Sequence, residues 1–513
     1  MEKERTDLQR APFIVGALIM VMLLGLTAAP AGAVQHKLTN ANITDAVQDE
    51  LLLDSAVFSF MLDVTTMDGI VTLRGTVDNI LAKERAARIA ETVKGVRAVV
   101  NKITVEPSTL RTDWEIRDDV KDALLTDPAT DSYEIDVKVE DSGVTLSGTV
   151  ESMQEKNLCE TVAKGVKGVK GVNNEIVFVW PEKRLDHEIK AEVEKALQWD
   201  TFVDHALIDV QVRDGKVVLK GTVGSAAEKR LALLDAYVHG VTSVDDSGLE
   251  VERWSRDKEL RKNKYVVKSD EEIRQAVEDA LMYDPRVASF NVTPEVADDG
   301  STVILRGTVD NLKAKRAAAQ DARNTVGVIR IDNRIKVRPG EPLSDRRIED
   351  RVRRALVRHP YVESYEITVD VTNGVADLYG AVDTYFEKSQ AEGVASRVNG
   401  VIWVDNNLLV QKQYEPFVYE PYAGDLYPYA YDWYRHEPRY PAKRDAQIKE
   451  DIEDELWWSP FVDSDDVNVM VENGHVTLTG TVDSWGEYSA ATDNAYEGGA
   501  VHVDNDLVVI LGS

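Results

Sequence analysis

Residues 206–223 read Ala-Leu-Ile-Asp-Val-Gln-Val-Arg-Asp-Gly-Lys-Val-Val-Leu-Lys-Gly-Thr-Val. Apolar and polar side chains alternate up to Arg213, Asp214-Gly215 reverses the chain, and Lys216 to Lys220 bring it back. A period of two puts one face of each strand into a core. Asp-Gly tolerates the positive φ angles of a tight turn, so the stretch reads as a β-hairpin. Gly221 is expected to end the return strand, at a bend where a β-branched side chain does not fit.

The pattern recurs. Gly-Thr-Val follows a strand-like run at Gly75, Gly148, Gly221, Gly307 and Gly480, and a sixth version, Gly-Ala-Val, begins at Gly380. Three of the spacings are 73 residues, and the longer ones contain linkers. Upstream of each hairpin lies an amphipathic helix. Its apolar positions are Ile43, Val47 and Leu51 in copy one, and Ile116, Val120, Ala123 and Leu124 in copy two. Copies three, four and five repeat them as Ile189/Val193/Ala196/Leu197, Ile273/Val277/Ala280/Leu281 and Ile348/Val352/Ala355/Leu356, and copy six has Ile448, Ile452 and Leu456. Steps of four, seven and eight place these side chains on one helical face. Downstream comes a second helix, alanine-rich in copies one and four, then a Gly-Val and a short strand such as Gly240 to Val251. Glycine there fits a left-handed helix end.

The order helix, strand, strand, helix, strand predicts a two-layer α+β module with a three-stranded sheet and two helices. The chain is a tandem array of six such αββαβ modules, at residues 38–107, 112–181, 185–251, 269–339, 344–411 and 444–512. Each has about 70 residues, near the lower limit for an independent core, so contacts between neighbours are expected to help.

Asp-Gly or Asn-Gly hairpins running into Leu-x-Gly-Thr-Val, then a helix, then Gly-Val-x-x-Val-Asp-Asn as at Gly400 to Asn406, resemble the BON family (bacterial OsmY and nodulation domain). Copy five departs in Ala381, and copy three ends Val-Asp-Asp-Ser. The resemblance implies a non-catalytic envelope module associated with osmotic or envelope stress and with phospholipid interfaces.

Lys3, Arg5 and Arg10 precede an uncharged apolar run, Phe13 to Leu26, and small residues follow to Ala31-Gly32-Ala33. That order marks residues 1–33 as a secretory signal peptide and the mature chain as periplasmic. The alternative is an uncleaved helix anchoring the protein in the inner membrane. Cys159, the one cysteine, cannot form an internal disulfide, so packing must hold the modules together.

Two segments fall outside the repeat. Residues 252–268 carry Arg253, Arg256, Lys258, Arg261, Lys262, Lys264 and Lys268, a basic linker. Residues 412–443 hold eight tyrosines, Trp433 and five prolines, which block helix and central strand and predict an extended, protease-sensitive spacer.

No nucleophile elbow, P-loop or H-E-x-x-H helix is present. Gly165, Gly168 and Gly171 follow a helix and do not match a dinucleotide loop. No two of the eight histidines stand at i, i+4, which argues against zinc, and Asp463, Asp465 and Asp466 lack the glycine and distal glutamate of a calcium loop. The reading is therefore no enzyme, no metal, no cofactor and no small-molecule substrate. A net charge of −30 repels nucleic acid.

One feature runs against that charge. From Ser344 to Arg358, six arginines (Arg346, Arg347, Arg351, Arg353, Arg354 and Arg358) outnumber Asp345, Glu349 and Asp350. Arg347, Arg351, Arg354 and Arg358 fall at steps of four, three and four, a second stripe expected to face water and phosphate headgroups. Pairing with Glu349, Asp350 or acidic neighbouring modules competes with that reading. From Arg444 onward, by contrast, two basic residues face sixteen acidic ones. The expected function is that of an extended envelope protein docking on phospholipid or another envelope surface. The alternative is a scaffold holding envelope proteins through its modules and its Tyr/Pro linker.

Overall fold

Hairpin geometry follows from turn chemistry. Asp214 and Gly215 have φ of 52° and 73°, and Asn373-Gly374 and Asn473-Gly474 repeat these angles within a few degrees. Only residues that tolerate a left-handed backbone sit there. The computed structural model describes residues 38–252, 255, 268–410 and 444–510, except 55, 58–60, 128–129, 131–134, 151, 179–183, 285, 288–290, 341–342 and 484. The signal segment, the Tyr/Pro stretch 412–443 and most of the basic linker lie outside these residues.

Copy three shows the plan. A first helix, Asp186–Trp199, leads into the hairpin Ile208–Arg213 and Lys216–Val223; a second helix, Ala226–Asp235, leads to the last strand, Ser243–Val251. The return strand is central, antiparallel to its hairpin partner and parallel to the last strand. Ile189, Val193 and Leu197 bury against Val210, Val217, Leu219 and Val223. All six copies share this arrangement, with the last strand interrupted in copies two and four.

The glycine of Gly-Thr-Val does not end its strand. The return strand continues through Val223, with Thr222 and Val223 still paired to Glu250 and Val251. What ends at Gly221 is the antiparallel pairing, at Ile208. Its φ is +128°, and a Cβ there would run into the Leu207 carbonyl oxygen. Gly75, Gly307, Gly380 and Gly480 sit against the carbonyls of Met61, Asn291, Glu366 and Asp466 in the same way.

Two polar pins close each layer onto the other. The Asp186 carboxylate, at the start of the first helix, accepts from the backbone N–H groups of Asp214 and Gly215 at 2.9 and 3.0 Å. Asp113, Asp345 and Asp445 do the same for the turns at 141–142, 373–374 and 473–474. In the last strand, Asn406 donates to the Lys388 carbonyl of the second helix at 2.9 Å, and Asn101, Asn174, Asn333 and Asn505 repeat the bond. Copy three has Asp246 at this position; there Lys229 reaches the Leu249 carbonyl instead, and the strand carries an irregularity between Asp245 and Gly248.

The copies are not strung out. Residues 38–513 form one compact unit, which corrects the expectation of an extended protein. Copies one, two and three touch one another in a ring: Glu84 pairs with Lys164 at 2.5 Å, Gln154 donates to the Tyr237 carbonyl, and Arg97 donates to the Val251 carbonyl at 3.2 Å. Each later copy then sits against two of the first three. Copy four meets copy three through Val326 N–H to the Trp199 carbonyl, and copy two through Lys313 and Asp127. Copy five meets copy two through Lys167 N–H to the Arg358 carbonyl, and copy one through Phe386, Ala56 and Arg85. Copy six meets copy one through Lys94 N–H to the Trp458 carbonyl, and copy three through the edge-to-face pair Phe202 and Phe461. Among the later copies, Arg316 of copy four also pairs with Glu392 of copy five at 3.1 Å.

Candidate functional site

The first helix of copy five spans Asp345–Arg358 and buries Ile348, Val352, Ala355 and Leu356. Arg346, Arg347 and Arg354 are exposed and Arg351 is half-buried. None of these four side chains makes a hydrogen bond or ion pair with a described residue. The other two arginines leave the stripe. Arg353 pairs with Glu349 and reaches the Val369 carbonyl at 3.4 Å. Arg358 turns inward to copy two, bonding the Asp122 carboxylate at 2.5 Å and the Thr126 hydroxyl at 3.0 Å, with its side chain 11 % exposed. Burial there pulls its guanidinium below the ordinary arginine range. Arg358 is thus a structural contact between copies, and no part of an exposed anion-binding face.

Helix stability does not explain the remaining four. Arg346 and Arg347 lie in the first turn, where the helix dipole disfavours cations. Asp345, the one acid of that turn, is committed to the turn at Asn373 and Gly374. The result is four guanidinium groups, three exposed and one half-buried, without ion pairs among the described residues, a chemistry suited to phosphate oxygens.

The repeated glycines Gly75, Gly148, Gly221, Gly307, Gly380 and Gly480 are backbone devices, all at positive φ. Cys159 is buried, and burial pushes its thiol up to about 12, which removes it as a nucleophile near neutral pH. Among the described residues no group of three or more His, Cys, Asp or Glu is placed to hold a metal ion. The strongly perturbed acids lie where copies meet: Glu50, Glu455 and Glu497 between copies one and six, and Asp321 near copy three.

Sequence reasoning missed the pinning Asp and Asn side chains. Their signal was present as an aspartate 28 residues before the hairpin turn in copies two, three, five and six, with Asn40 in its place in copy one. It missed the residues between copies for a different reason, since nothing local pairs copy one with copy six.

The BON domain pattern matches residues 39–107, 112–179, 185–253, 269–339, 344–412 and 444–510. The chain is 32% identical over 140 residues to the osmotically-inducible protein Y of Escherichia coli (strain K12), covering 26% of this chain and 70% of that protein. It is 26% identical over 183 residues to the outer membrane lipoprotein DolP of Haemophilus influenzae, covering 33% of this chain and 94% of that one. Among solved structures, CdsD, a structural protein of the type III secretion system of Chlamydia trachomatis, covers 40% of this chain and 90% of its own, at 14% identity and a TM-score of 0.11.

Proposed function

The chain belongs to the BON domain family, and from that premise we propose that it is a non-catalytic periplasmic protein that docks on anionic phospholipid through the first helix of copy five. The relatives support the envelope setting, one by its osmotic induction and the other as an outer membrane lipoprotein. Among the described residues no helix is long and apolar enough to cross a membrane. Export rests on the signal segment, with cleavage expected between Ala33 and Val34. N-terminal sequencing of periplasmic protein tests that step.

One observation carries the docking reading. Arg346, Arg347, Arg351 and Arg354 are unmatched by described carboxylates, in a chain with a net charge of −30. Each basic residue near an anionic surface contributes about 1 kcal/mol, and salt limits the opposing repulsion to a range of roughly 8 Å. Four together work against a net repulsion that is screened beyond that range.

The test is co-sedimentation with vesicles of phosphatidylglycerol and phosphatidylcholine. A triple variant, Arg347→Glu, Arg351→Glu, Arg354→Glu, is expected to lose binding by more than about tenfold. Equal binding by the variant removes this helix as the contact. A native chain that binds neither anionic nor neutral vesicles leaves the scaffold reading in its place. That second reading has its own support in copy five, where Tyr365, Trp403 and Leu409 are exposed apolar side chains of the kind that dock on protein partners.

A further inference from the structure

Three contacts each join a later copy to one of the first three by the same bond, from the end of a second helix to the end of a first helix, and they are filled differently. Between copies two and five, Arg358, His359 and Arg397 leave a cavity of only about 40 Å³. Between copies one and six, Glu50 and Glu455 meet and the Lys94 ammonium lies 4.7 Å from the Trp457 ring centroid. Between copies three and four the space is open. A cavity of about 230 Å³ lies there, closed on one side by Gln154 of copy two.

Small residues make the room, since Ala196, Ala276 and Ala280 line the facing first helices. Leu231, Leu234 and Val238 give it an apolar wall, and Trp199 and Tyr237 add aromatic rings. Of its ionisable side chains, six are carboxylates and two, Lys195 and Arg286, are basic. Both bases are already matched, Lys195 by Asp279 and Arg286 by Asp284 at 2.5 Å. Glu192 is matched from outside the lining by Arg184, and the Lys268 ammonium lies 5.7 Å from the Trp199 ring centroid. Along the lining itself carboxylates outnumber bases, beside aromatic and aliphatic surface.

We propose that this cavity binds a small organic cation, an alkylated ammonium whose apolar body fills the space between copies three and four. Ring faces attract such cations electrostatically, and an alkylated ammonium sheds its water more easily than a bare one. A carboxylate supplies the counter-charge. Asp321 is placed for that role: its Oδ1 lies 3.7 Å from Arg286, and its buried Oδ2 has no hydrogen bond to a described residue. Burial, then the neighbouring Asp284, pushes its carboxyl well above the carboxylate range. A cation beside it favours the ionised form, so binding draws protons off this group and tightens as pH rises. The charged groups around it are Asp279, Asp284 and Arg286 of its own copy, Asp284 sharing a hydrogen bond with it, and Glu192, Lys195, Asp200 and Asp235 across the cavity.

The experiment is calorimetric titration of the full chain with choline, and with its neutral carbon isostere 3,3-dimethylbutan-1-ol. Choline is expected to bind saturably with the release of a proton, and the isostere at least about tenfold more weakly. Ala280→Trp fills the cavity and abolishes binding, with Ala196→Phe as the second filling variant should the first fail to fold. Asp321→Asn weakens choline by about tenfold without lowering the melting temperature of the free protein. Equal affinity for choline and isostere overturns the proposal. So does the lack of saturable binding at about 10 mM choline, or a filled variant that binds like the native chain.

Discussion

The Glu50 and Glu455 carboxyls hydrogen-bond to each other across the contact between copies one and six. The same helix position is Ala123, Ala196, Ala280 and Ala355 in the other four copies. Those alanines line the two equivalent contacts in facing pairs, Ala123 with Ala355 and Ala196 with Ala280. Two adjoining carboxylates with little access to water cannot both stay ionised cheaply. Burial, with Asp54 and Asp49 nearby, pushes Glu50 up to about 7; burial, Glu50 and Glu497 push Glu455 well above its usual range. Glu497 is raised too, by burial and then by Glu50.

Because these acids titrate higher in the folded chain than in the unfolded one, the stability they contribute is complete below their ordinary value of 4.5 and is lost as pH rises through about 7. The melting temperature should fall between about pH 5 and about pH 8, corresponding to something on the order of 1–3 kcal/mol. The double variant Glu50→Ala, Glu455→Ala recreates the alanine pairing and should flatten that dependence. Melts at fixed ionic strength decide it, and an identical slope in the two proteins counts against the acid pair.

Lys313 and Asp127 form an ion pair at 2.7 Å between copies four and two, with side chains 0% and 5% exposed. Removing one partner strands the other charge away from water. Lys313→Ala is expected to lose about 3–5 kcal/mol in denaturant unfolding, and adding Asp127→Ala to recover part of it. Additive losses would mean the pair is not coupled.

Gly221→Ala is expected to destabilise by about 3 kcal/mol or more, because its φ of +128° is unfavourable and the new Cβ strikes the Leu207 carbonyl. Gly171→Ala is the control. No atom lies within 4 Å of a Cβ at that position, and the change should stay within about 0.5 kcal/mol. Similar melts for both variants would remove the steric account.

Ending the chain after residue 410 removes the Lys94–Trp458 hydrogen bond and the Phe202–Phe461 ring pair. Copies one and three, which hold those partners, should then exchange backbone hydrogens faster, and copies two, four and five, which hold neither contact, should change least. Hydrogen-exchange mass spectrometry reads this segment by segment. Uniform protection in the shortened chain would show that the copies are independent after all.

The module was legible because its signals are local. Alternation, the Asn-Gly and Asp-Gly turns and the helical stripes each concern residues a few positions apart. The extent of the return strand was misread at Gly221, since its continuation depends on a parallel partner at Leu249 to Val251. The arginine face was legible as a charge pattern, but Arg358 was not separable from it, because Asp122 lies 236 positions away. Copies one and six visibly lack the alanine that the others carry. Glu50 and Glu455 acquire a meaning only when folding puts one against the other.

Joining six copies in one polypeptide has a genetic consequence. In an assembly of six identical chains, a glutamate at position 50 would appear in every subunit and at every equivalent contact. Here a single codon alters one contact and leaves the others alone. Acid could therefore accumulate between copies one and six, arginine between two and five, and an open chamber between three and four, each inherited and selected separately.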